Sequence, residues 1–166
     1  VSIRPYIENL PHVEAGETCE TDRLHRAASL SEKNLKRIKA SVQGGSWKDW
    51  PTELRCDCHK KESGKTYTSV YGRMSWDKIG STMTTQFFCY GTGRYGHPEQ
   101  NRAITLREGA LLQTFPNDYA FFPPETKSYS MRDIARHIGN AVPVRLGEII
   151  GQSIKQHLEN KIRSIY

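Results

Sequence analysis

The sequence predicts an α+β chain in which strands and loops come first and helices last. Residues 66–76 (TYTSVYGRMSW) and 81–90 (STMTTQFFCY) are rich in Thr, Tyr, Phe and Val, which suit pleated, half-buried strands. Residues 91–101 (GTGRYGHPEQN) read as loop by composition. From Thr105 onward, apolar residues recur at helical spacing between capping signals. The chain has 166 residues and a formal net charge of +6, enough for one domain or two small lobes. Its 5 Phe, 3 Trp and 8 Tyr are too many for a disordered chain. No apolar run reaches the ~18–20 residues of a membrane span, and VSIRPYIENLP lacks the order of a signal peptide. A basic, soluble, intracellular protein is expected, processed or cut from something longer because it begins at Val1.

Charge is uneven along the chain. Residues 1–32 hold 3 basic and 6 acidic side chains, whereas residues 33–65 hold 9 basic and 4 acidic. Part of the basic block is a helix, with Ser29 and Glu32 fitting a capping box and Leu35 and Ile38 one turn apart. Its lysine face suits either solvation or phosphate contact. Gly44-Gly45-Ser46 breaks that helix, and Trp47, Trp50 and Pro51 open an aromatic loop. In the first strand Gly72 marks a bulge or turn.

Later, Thr105 and Glu108 form a second capping box, launching a helix to about Thr114 that Phe115-Pro116 ends. A short helix over Met131–Ile138 should stop at Gly139. Pro143 then starts a long final helix with an apolar stripe of Leu146, Ile150, Ile154, Leu158, Ile162 and Ile165. Such a stripe needs a partner surface.

Two short motifs carry candidate chemistry. Cys56-Asp57-Cys58-His59 is the one local cluster among Cys19, Cys56, Cys58 and Cys89, and it lacks a second ligand pair at zinc-site spacing. Four reduced thiols and no metal are expected, with a small zinc-dependent binding domain centred on Cys56, Cys58 and His59 as the competing reading. Gly91-Thr-Gly93-Arg-Tyr-Gly96 matches a dinucleotide fingerprint, but His97-Pro98 follows where a helix should open. A glycine loop presenting Arg94 and Tyr95 to phosphates or bases fits better.

The ordered set YGRMSWD (71–77), STMTT (81–85), GRYGHPEQNRAITLREGALLQTFP (93–116) and IGNAVPVRLGEIIGQSI (138–154) resembles the C-terminal part of bacterial DNA cytosine-5 methyltransferases. The stretch from Arg102 through Thr105, Arg107, Glu108 and Gln113 to Pro116 is similar to that family's ninth motif, and Gly139 to Pro143 to its tenth. Ala141 stands where the family often has Ser.

The resemblance implies transfer of a methyl group from S-adenosylmethionine to carbon 5 of a cytosine flipped out of double-stranded DNA, in a restriction–modification setting in the bacterial cytoplasm, with no membrane role. The family's chemistry uses a Pro-Cys nucleophile and a Glu-Asn-Val motif, and this sequence contains neither. The resemblance therefore implies no catalytic residue here. It implies a target-recognition domain over residues 1–101 and a helical segment over 102–166. That segment would complete a missing α/β catalytic lobe carried by the same or a second chain. This chain alone should be inactive.

Asn140, Ala141 and Val142 would edge the cofactor pocket, though Asn140 also suits a plain bridge between two helices. Thr82 and Met83 resemble a Thr-Leu dipeptide placed near the flipped cytosine; ordinary strand residues are the competing reading. Physical reasoning adds Arg73 as a bidentate base reader, with a surface cation or a partner for Asp77 as its alternative. Arg94 and Tyr95 follow as second readers, and Lys60 and Lys61, with Lys65, as phosphate contacts. A standalone DNA-binding module is the alternative function.

Overall fold

The computed structural model describes residues 1–163. Seven α-helices lie among them: α1 Arg4–Ile7, α2 Glu32–Lys39, α3 Asp57–Lys60, α4 Glu62–Lys65, α5 Leu106–Leu112, α6 Met131–Asn140 and α7 Val144–Arg163. Most of the remaining chain is turn and loop.

The α+β expectation is corrected here. No strand forms among the described residues, where the ladder contacts are three single bridges: Thr18–Arg26, Arg73–Gly96 and Gly96–Ala103. Thr66 to Ser69 are exposed on both faces, so their β propensity meets no packing partner. Tyr71 then turns the chain sharply at φ 55°. Residues 84–92 close on themselves instead, through Phe87 N to Thr84 O, Cys89 N to Gln86 O and Thr92 N to Cys89 O. The Thr92 hydroxyl donates to Gln86 O and Cys89 O, offering the backbone a local partner in place of a ladder.

Backbone groups of the middle region are satisfied by cross-loop bonds. Met74 N reaches Gly96 O (2.8 Å), Gly96 N reaches Gly72 O (2.9 Å), Arg73 N reaches Gly45 O (3.1 Å) and Ile104 N reaches Tyr95 O (2.8 Å). Ile3 N and Arg4 N stitch the chain start to Lys78 O and Trp76 O.

One of the two expected capping boxes forms. Thr105 and Glu108 make the full reciprocal box at α5, while Ser31 rather than Ser29 caps α2 by accepting from Asn34 N. α6 runs through Gly139 to Asn140 instead of stopping before it.

Two apolar clusters form the interior. The larger gathers Ile3, Ile7, Trp76, Phe87, Tyr95, Ile104, Leu106, Ile134 and Ile138 among others. Residues before and after position 101 thus share one core, and each large aliphatic fully buried there contributes about 1.5–3 kcal/mol. The smaller holds Ile38, Trp47, Trp50, Tyr90 and Ala103.

α7 stands apart from both, as the unpartnered stripe suggested. Leu146, Ile149, Ile150, Ile154, Leu158 and Ile162 are each about half exposed along a helix of about 30 Å. Ile165, the last member of the expected stripe, lies outside the described residues. No helix among the described residues is long and apolar enough to cross a membrane.

Candidate nucleic-acid interface

An open cleft of about 400 Å³ separates the Ile79–Met83 segment from the end of α6 and the Ala141–Pro143 turn. Each wall is fixed by one buried side chain. Tyr95, 3% exposed, donates its hydroxyl to Thr82 O (2.7 Å) and approaches Thr84 Oγ1 (3.3 Å). Gln113 Nε2 donates to Ile138 O and Ala141 O, both at 3.0 Å, and so ties the end of α5 to the end of α6. Val144 N returns a bond to Gln113 O.

Gly139 brings the two walls together. A Cβ there would meet Thr84 C and O at 2.5 Å and Thr85 N at 2.7 Å, all backbone atoms with no room to yield. Gly139→Ala should therefore push α6 off the Thr84–Thr85 loop and destabilise the chain by about 1–3 kcal/mol. A fall in the urea midpoint at unchanged m-value checks this, and an unchanged midpoint would refute the close approach.

The residues singled out from sequence divide into two groups. Thr82, Arg94, Lys60 and Lys61 are exposed. Arg94 leans its stem on Gly72, where a Cβ would overlap the Arg94 side chain, so the glycine lets this arginine lie flat across the loop. Lys60 pairs with Asp57 at 3.3 Å, and Lys65 pairs with Glu62.

Arg73, Tyr95 and Met83 are buried. Arg73 Nη1 donates to Pro98 O and Glu99 O, and its Nη2 to Ile38 O and Asn101 Oδ1. All four terminal N–H groups are thus committed inside the protein, and the structure places Arg73 as a strut beneath the loops rather than on a surface that could read bases. Neither surface pairing with Asp77 nor base contact describes it; Asp77 pairs with Arg4 at 3.0 Å. Ala141 lines the cleft, whereas Asn140 and Val142 are exposed beside it.

Behind the glycine loop lies a buried polar network that sequence reading missed in part. Arg102 and Glu108, 0% and 1% exposed, form a bidentate pair at 2.7 and 2.8 Å. Burial works to raise the Glu108 carboxyl, but the Arg102 hydrogen bonds and charge outweigh it and hold it below the usual carboxylate range. His97 sits 3.7 Å from Glu108, and its Nδ1 accepts from the backbone N–H groups of Glu99 and Gln100. Arg107, at the rim, pairs with Asp22 at 2.6 Å.

The cleft is thus bounded by a threonine-bearing loop on one side and a glycine-bearing helix end on the other. The sequence pattern of the C-5 cytosine-specific DNA methylases matches residues 5–156, and the chain belongs to that family. It is 54% identical, over 95% of its length, to the type II methylase M.HgiDII of Herpetosiphon aurantiacus, of which it covers 44%. It is 37% identical, over 89% of its length, to the type II methyltransferase M.Eco47II of Escherichia coli, covering 34% of that protein. A plant relative, DNA (cytosine-5)-methyltransferase 3 of Arabidopsis thaliana, is 31% identical over 96% of the chain and is 13% covered. The chain thus spans less than half the length of these curated relatives.

Proposed function

We propose that this chain is the target-recognition region, with the ninth and tenth motifs, of a DNA cytosine-5 methyltransferase of a restriction–modification system. In this reading residues 1–101 face DNA, and residues 102–166 join that region to the catalytic lobe. The observation that carries it is the cleft itself. Thr82 and Met83, similar to the family's dipeptide near the flipped cytosine, face Ala141 and Pro143 of the tenth motif across one gap, locked by Tyr95 and Gln113.

The chain's own residues then have separate tasks. Thr82 presents its hydroxyl and backbone at the mouth of the cleft, and Tyr95 positions it from behind. Arg94 reads base edges, while Lys60 and Lys61 fix the duplex through phosphates. Arg73 supports the reading loops from inside. S-adenosylmethionine supplies the methyl group, but this cleft offers it no acidic side chain for ribose hydroxyls. This chain does not by itself fit that cofactor, which belongs to the catalytic lobe with Asn140, Ala141 and Val142 at its margin. The exposed stripe of α7 packs on that same lobe.

Mixing this chain with a catalytic lobe of a close relative should restore methyl transfer to duplex DNA, whereas either part alone should not transfer. Duplex binding without transfer for any such lobe would instead favour a standalone DNA-binding module. Within the active mixture, Arg94→Ala should lower discrimination at one base position by about 1–3 kcal/mol. Lys60→Ala should weaken all sequences alike and reduce the salt slope by about 1. Equal behaviour of the two variants would refute the division into reader and anchor.

A further inference from the structure

The triad Cys56, Cys58 and His59 brings one ligand atom from each residue to within 4.8 Å of the others. Cys56 immediately precedes α3, and Cys58 and His59 lie within it, held by His59 N to Cys56 O. His59 is 5% exposed, yet its Nδ1 has no hydrogen-bond partner. A buried, unpartnered ring nitrogen normally costs about 1–3 kcal/mol, so such an atom beside two thiols calls for a ligand.

Packing fixes the ring. His59 stacks on Trp47 with centroids 4.1 Å apart, and Trp50 and Tyr71 meet it at wider angles. Arg37 Nη2 donates to Cys56 Sγ at 3.0 Å, an outer contact of the kind that orients a ligating sulfur.

We propose that Cys56, Cys58 and His59 form a three-ligand site for a thiophilic divalent cation, zinc in the first instance. Two sulfurs and one imidazole suit Zn²⁺ at about 2.3 Å and about 2.0 Å, which asks the ligand atoms to close to roughly 3.5–3.8 Å. Cys58 is exposed and free to rotate inward. Binding displaces the two thiol protons to water, so two thiolates neutralise the dication despite the nearby guanidinium groups. The site pins residues 56–59 to the Trp47–Trp50 cluster and thereby sets the direction of Lys60 and Lys61. It stands whether or not the chain binds DNA.

Cobalt titration of the reduced, chelator-stripped chain tests it. One equivalent of Co²⁺ should produce thiolate-to-cobalt charge-transfer absorption, displaced by one equivalent of Zn²⁺. Cys58→Ser, at an exposed position that the fold does not need, should weaken Zn²⁺ binding at least about 100-fold. Cys19→Ser and Cys89→Ser should leave it unchanged. Absence of the charge-transfer band at one equivalent, or an unchanged Zn²⁺ affinity in Cys58→Ser, would overturn the proposal.

Discussion

Arg102→Ala should destabilise the chain by about 3–5 kcal/mol, the largest loss expected from any single side chain away from the apolar core. Both partners of the Arg102–Glu108 pair lie out of water, and Arg102 also donates to Val13 O, Gln100 Oε1 and Ala103 O. Removing the guanidinium leaves an uncompensated carboxylate in the interior and strands several carbonyls. Most of the loss is that penalty, not the attraction itself. Arg102→Met with Glu108→Leu should accordingly be less damaging than Arg102→Ala, although the double variant forfeits the cap of α5 that Glu108 makes with Thr105 N. Urea denaturation of the three proteins decides the matter. A single variant within about 1 kcal/mol of the parent would show that the pair is not buried as described.

Stability should also fall as pH drops from 7 to 4, by about 2 kcal/mol at pH 5 and about 3 kcal/mol at pH 4, through His97 alone. Burial, opposed by the Glu108 charge and aided by those of Arg102, Arg73 and His12, pushes the His97 imidazole down to about 4 from the ordinary 6.5. The unfolded chain therefore takes a proton near pH 6.5 that the folded chain refuses until near pH 4. Stability is complete above 6.5 and is lost through that window. Glu108 has the same sign but acts lower, because a depressed carboxylate stabilises above its unfolded value and fails as pH falls through the folded one. Trp76 meets the His97 ring edge-on, with centroids 5.3 Å apart, and helps to bury it. His97→Gln should be weaker at pH 7 but should flatten the slope between pH 7 and 5. A slope unchanged in that variant would mean that another group carries it.

Helix starts were the most legible part of this chain, because a capping residue and its partner three positions on are a local chemical signal. Thr105 with Glu108 is the instance, whereas Ser31 takes the cap that Ser29 was expected to make. The strands failed for the opposite reason. Thr, Tyr and Val favour a pleated surface only when a neighbouring strand offers one, and Tyr71 and the turns of residues 84–92 never present it. At the site, Thr82 and Ala141 were reached through motif resemblance, whereas Gln113 was quoted in the ninth motif without a task. Arg73 shows the limit of residue type as evidence. An arginine on a glycine turn reads as an exposed base contact or a surface cation, and only the three-dimensional arrangement reveals four acceptors converging on it.

Loops hung from buried anchors, with no ladder between them, have a consequence for change over generations. In a paired strand each substitution must respect alternation, and a one-residue slip turns every side chain to the wrong face. Here Arg73, Tyr95 and Arg102 hold the backbone from within, so an exposed side chain such as Arg94 can be exchanged with little penalty to folding. A scaffold of this kind lets the outer surface drift toward new preferences while its anchors stay fixed.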